Sequence, residues 1–121
     1  MKGLNKVTLI GHLGKDPEML FTEANVAVAK FTLATSETYK DKTGKLITQT
    51  EWHQIVLWRS LAEMAQKYLH KGNLIYLEGK LKTRSWDDKD GNKKSVTEII
   101  GDHLMMLDKK SDNQPSNDFE M

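Results

Sequence analysis

The hydrophobic pattern of this chain has a period of two almost throughout and switches once, between residues 61 and 69, to the period of a helix. Val7, Leu9, Gly11 and Leu13 alternate with Thr8, Ile10 and His12, and the run from Leu4 ends at Gly14-Lys15-Asp16-Pro17, where proline removes a ladder donor. Val26 to Ser36 is a second run, with Ala27, Ala29, Phe31 and Leu33 opposite Val28, Lys30, Thr32 and Ala34. The polar stretch Tyr39 to Lys45 then reads as the tip of a long hairpin, and Leu46 to Trp58 as its return strand. Leu61, Met64, Ala65, Tyr68 and Leu69 form one helical stripe. Ser60 and Glu63 predict a capping box at its start, and Lys71-Gly72 a left-handed stop at its end. Asn73 to Arg84 alternates again, Asp90-Gly91 predicts a hairpin turn, and Ser95 to Leu107 is the fifth run.

Three strands, one helix and two strands is the element order of an all-β, five-stranded Greek-key OB-fold barrel, with the helix between strands 3 and 4. Other small barrels share that order. At 121 residues the chain suits one domain, expected over residues 1–107. Residues 108–121 are polar, with nothing to pack, and are expected to be a disordered acidic tail. The net charge of +1 divides unevenly, about −2 in that tail and +3 in the body. There is no cysteine, which excludes disulfides and thiolate metal sites. No stretch approaches the roughly 18 apolar residues of a membrane span. The first residues lack the apolar core of a signal peptide, so a cytoplasmic protein is expected.

The aromatic residues are placed unevenly. Trp52 and Trp58 share a parity on the third strand and therefore a face, roughly 20 Å apart. Ile55 and Leu57, of the other parity, already supply an inner row, with His53 beside them. Tryptophans on strands are usually core, but here the core row is filled without them. Lys80, Lys82 and Arg84 share one face of the fourth strand, and Trp86 follows them in what reads as a polar loop. Tyr39, with Lys42 close by, repeats the pairing of aromatic and cation at a hairpin tip. Single-stranded nucleic acid binds where bases stack on aromatic faces while cations follow the phosphates.

The segment Gln49-Thr50-Glu51-Trp52-His53-Gln54-Ile55-Val56-Leu57-Trp58 resembles the central motif of the bacterial single-stranded DNA-binding protein family. Asn5 to Glu18, Leu61-Ala62-Glu63, Tyr68 to Gly72 and Tyr76 to Trp86 are similar to it as well, in order. The resemblance implies an OB-fold subunit of a homotetramer that binds single-stranded DNA with little sequence preference, in replication, recombination and repair, near the nucleoid. It implies base stacking at Tyr39, Trp52, Trp58 and Trp86, and a phosphate path near Lys42, Lys82 and Arg84, to which the row on the fourth strand adds Lys80. Gln54 and Ser60 stand where many relatives have a basic residue. The family's tail commonly ends in aspartates followed by Pro-Phe and recruits replication and repair proteins, whereas this one ends Asp118-Phe119-Glu120-Met121.

Competing chemistry is poorly supported by spacing. His12, His53, His70 and His103 are scattered, with no i, i+4 pair to hold zinc, and His53 reads as a hydrogen-bonded core or subunit-contact residue. Asp87, Asp88 and Asp90 precede Gly91 at the wrong spacing for a calcium loop. Neither cofactor, metal nor catalysis is expected. A nuclease on a barrel scaffold and an OB-fold adaptor protein are the rival classes.

Overall fold

In the computed structural model, which describes residues 2–108 and 118–120, each alternating run is a strand and the helical stripe a helix. In chain order the elements are β1 (Val7–Leu13), β2 (Glu18–Phe21), β3 (Ala27–Lys40), β4 (Leu46–Trp58), α1 (Ser60–Tyr68), β5 (Leu74–Asp87), β6 (Lys93–Met106) and β7 (Asp118–Glu120). Five of the strands close the expected barrel. β1 pairs antiparallel with β5, β5 with β6, and β3 with β4. β6 meets β4 in parallel at Ile55–Ile99 and Val56–Ile100, and β3 returns to β1 at Ala34–His12 and Leu33–Leu13. The helix lies between the third and fourth barrel strands, as in an OB-fold.

The inner rows are those the alternation marks. Ala27, Ala29, Phe31 and Leu33 of β3 meet Ile55 and Leu57 of β4, Ile75 and Leu77 of β5, and Ile99 and Leu104 of β6. Leu61, Ala62 and Ala65 of α1, with Leu69 just beyond it, complete this core. One bulge interrupts the ladder: Glu78 faces His103 but Gly79 faces Gly101, which leaves Asp102 over and bends β6.

Several local expectations are corrected. Ser60 is the first helical residue rather than the cap; Arg59 holds the cap position at φ 57° and no side chain bonds there. The Arg59 N–H donates to Ala27 O of β3 (2.8 Å), and the first helical bond runs from the Glu63 N–H to Arg59 O (3.0 Å). Gly72 is left-handed as expected, but it lies beyond the helix end and donates its N–H to Leu13 O at 2.8 Å. It shapes the turn into β5 rather than stopping α1. β2, a four-residue edge strand on β3, was not expected at all. β5 runs through Asp87, so Trp86 sits on a strand paired with Lys94 and not in a loop.

The two long hairpins end in turns of one design. Asp41 and Asp88 each accept backbone N–H bonds from two residues of their own turn through Oδ1. Gly44 and Gly91 take the positive φ that the turn requires, 84° and 80°. At the other end of the chain, Asp108 accepts from the Leu74 N–H (2.9 Å) and Asn73 Nδ2 (2.8 Å), which ties it to the start of β5. Of the tail expected to be disordered, 109–117 and 121 lie outside the described residues. Asp118–Glu120, by contrast, pair antiparallel with His103–Met105 as β7.

Candidate nucleic-acid interface

The β3–β4 ladder runs without a register shift from Val28–Trp58 to Lys40–Leu46. Parity therefore holds along it, and Trp52, Gln54, Val56 and Trp58 share the outer face with Val28, Lys30, Thr32 and Ala34. On β5 the outer row is Lys80, Lys82, Arg84 and Trp86, opposite Ile100, Glu98, Val96 and Lys94 of β6. The parallel junction sets Val56 beside Ile100 and joins the two rows into one surface.

A groove of about 530 Å³ crosses that surface from β2 to β5. Trp58, Val28, Val56 and Ile100 line it with Leu20 and Phe21, and Lys30, Lys80, Lys82 and Arg84 supply its cations. Val28 and Val56 are 5% and 3% exposed although they point away from the barrel core, so they form a buried floor outside it. Glu98 is the one carboxylate among the lining residues and is 8% exposed. It accepts a hydrogen bond from Arg84 Nε at 2.9 Å. The Arg84 guanidinium in turn lies 5.0 Å from the Trp86 ring centroid, within cation–π range. No ion pair among the described residues engages Lys80 or Lys82, which leaves both ammonium groups available to an anion.

The structure thus gathers Trp58, Lys80, Lys82 and Arg84 in one groove and attaches Trp86 to it through Arg84. The other expected residues lie apart. Trp52 is 58% exposed and is absent from the groove lining. Its ring rests on Gly14, where an added Cβ would come within 2.4 Å of Cζ3. Tyr39 pairs with Ile47 on the β3–β4 arm, one pair before the turn. Its parity is opposite to that of Trp52, so it projects from the other side of the ribbon. Lys42 lies in the turn that Asp41 holds together. There the Thr43 hydroxyl, with the backbone of Thr43 and Lys45, keeps the Asp41 carboxyl below its ordinary 3.8. His53 is half-buried, with Nε2 2.9 Å from Thr35 Oγ1, which fits its reading as a hydrogen-bonded inner residue. Sequence reasoning passed over Lys30, Leu20, Phe21 and Glu98. For Lys30 the signal was present, because its parity sets it on the outer row of β3.

The model of the single-strand binding protein family matches residues 4–107, nearly the whole barrel and both hairpin arms. The chain belongs to the single-strand binding protein family. Within that family it is 52% identical over 118 residues to single-stranded DNA-binding protein 1 of Chlorobaculum tepidum, covering 97% of this chain and 73% of that one. It is 43% identical over 117 residues to the single-stranded DNA-binding protein of Neisseria meningitidis, covering 97% and 67%. Among solved structures, a Plasmodium falciparum SSB in complex with single-stranded DNA aligns with a TM-score of 0.79 and 39% identity, over 89% of this chain and 98% of that one. The single-stranded DNA binding protein of Thermus aquaticus aligns at 0.76 and 36%, over 88% and 51%. Family membership and the groove come from separate observations, the first from sequence and backbone, the second from side chains.

Proposed function

We propose that this chain binds single-stranded DNA with little sequence preference and without a catalytic step, holding and protecting the strand during replication, recombination and repair. The observation that carries this reading is the groove, an apolar, tryptophan-bearing floor with lysines on its rim. Bases have apolar and π faces to bury, and phosphates need cations at the edge of the same surface. Trp58 and Trp86 stack bases at the groove. Trp52 stacks at a separate station on the same outer face, and Tyr39 on the far side of the hairpin arm. Lys80, Lys82 and Arg84 take phosphates, and Lys42 takes one at the arm's tip. Residues 1–107 act as the binding domain and 108–121 as its tail, in a homotetramer of cytoplasmic location.

Stations on different faces of one subunit favour a strand that wraps rather than one that lies straight. A backbone-led contact of this kind reads no base edges, which accounts for the low sequence preference. The test is a titration of tryptophan fluorescence with oligo-dT and with duplex of equal length. Strong quenching by the single strand and weak quenching by the duplex is expected. An equal response to both would refute base stacking as the mode of binding.

A further inference from the structure

The groove has two charged walls, and only one of them is accounted for by the row on β5. Lys30 stands on the other. On β3 it faces Val56 of β4 directly, and β4, β6 and β5 follow in the sheet before Lys80 and Lys82 are reached. Three strand spacings separate the walls, roughly 14 Å. Lys30 is half-buried, while its cross-strand partner Val56 is 3% exposed on the outer face, so the lysine stem lies over the floor with its ammonium group directed to water. Glu18, its neighbour on β2, has its carboxylate 3.9 Å from Lys15, and among the described residues no ion pair engages Lys30.

We infer that Lys30 is a further phosphate anchor, on the β3 wall of the groove, which acts independently of the row on β5. The inference rests on the single-strand reading above and deepens it. An ammonium group kept in water at the edge of an apolar floor, with no ion pair among the described residues to compete for it, is available to an anion, and a ligand with both apolar and anionic parts is the strand itself. At roughly 14 Å the two walls are too far apart to share one phosphate, so their contributions to counterion release are independent. A single strand loses about 0.7 in the slope of log affinity against log salt for each phosphate contact removed.

The experiment is an oligo-dT titration of full-length protein between 50 and 200 mM salt, comparing wild type with Lys30→Met, which keeps the apolar stem. The expected slope is shallower by about 0.7, so the defect at 50 mM is about 2.6 times that at 200 mM. Lys30→Met with Lys82→Met is expected to lose about 1.4. Lys67→Ala, on α1 and outside the groove, is the control and should leave the slope unchanged. A wild-type slope for Lys30→Met overturns the assignment, as does an equal drop for Lys67→Ala. A double variant no shallower than Lys82→Met alone overturns the independence of the two walls. Failure of wild type to bind oligo-dT would instead refute the reading on which the inference rests. Circular dichroism checks the fold of each variant, and Lys30→Arg should restore the slope.

Discussion

Trp52 can be displaced without being removed, and Gly14 is the lever. A methyl group at Gly14 would lie 2.4 Å from Trp52 Cζ3 and 2.6 Å from Thr32 Oγ1. Ordinary carbon contacts begin near 3.4 Å, so the ring must retreat by about 1 Å. The backbone cannot make the room, because the Gly14 N–H donates to Thr32 O at 2.9 Å and Trp52 is held in the ladder opposite Ala34. The indole must therefore leave its rotamer well, at about 0.5–1.5 kcal/mol, or lift from the surface. Overpacking of this kind costs about 1–3 kcal/mol, offset by about 0.4–1 from the stiffer unfolded chain. Gly14→Ala is expected to lose about 1 kcal/mol of stability in urea unfolding. It should also weaken oligo-dT binding about fivefold, at the low end of the stacking range. Placing the substitution in a Trp58→Phe, Trp86→Phe background makes Trp52 the sole tryptophan, so its spectrum under selective tryptophan excitation reports the displacement directly. Unchanged emission together with unchanged affinity would refute the seating of Trp52 on Gly14.

Trp52→Ala should weaken oligo-dT binding by about 1–3 kcal/mol while circular dichroism stays native, because the ring is already 58% exposed. Arg84→Lys keeps the charge but loses the directed Nε bond to Glu98 and the planar contact with Trp86, so binding should fall several-fold with Trp86 emission altered. In acid, two carboxyls with lowered pKa contribute to the response. The Thr43 hydroxyl holds Asp41 below 3.8, and the Tyr76 hydroxyl, donating to Glu78 Oε2 and helped by Lys6 and His103, holds Glu78 below 4.5. Depressed carboxyls stabilise the fold above their ordinary values and lose that contribution as pH falls through the lowered ones. Melting temperature should therefore drop below about pH 4, and less so in Asp41→Asn; an identical profile in that variant would refute the turn's share.

Strand parity carried most of what was legible. It separated Ile55 and Leu57 from Trp52 and Trp58 correctly because the β3–β4 register runs unbroken. It could not say whether two residues of one row serve one site. Barrel curvature leaves Trp58 in the groove and carries Trp52 to Gly14, a separation that no local pattern encodes. Applied to Tyr39, the same parity would have shown the opposite face, had the strand been expected to continue that far. β2 escaped because four residues after Pro17 are too few to display a period, yet its Leu20 and Phe21 line one wall of the groove. The capping box at Ser60 failed for a different reason. The Arg59 N–H bonds to Ala27 O of β3, so the sheet fixes where the chain enters the helix, one residue before Ser60.

Glu98 looks out of place in a groove built for a polyanion, since a carboxylate there repels the phosphates that Lys80 and Lys82 attract. Its geometry resolves the conflict. The carboxylate is 8% exposed and accepts from Arg84 Nε, so most of its field is spent on a neighbour instead of reaching the ligand. In return it fixes a side chain with four rotatable bonds in the pose that lies against Trp86. Ordering a long side chain before the ligand arrives removes about 0.5–1.5 kcal/mol from the cost of binding. Four cations less one carboxylate still leave the lining with three positive charges. The site therefore gives up electrostatic reach for order at one position, the aromatic one. Lys80 and Lys82, which need only follow a flexible backbone, have no ion pair among the described residues. Aromatics seated against a neighbour and lysines left unpaired are the combination expected of a surface that must accept any base but always a phosphate.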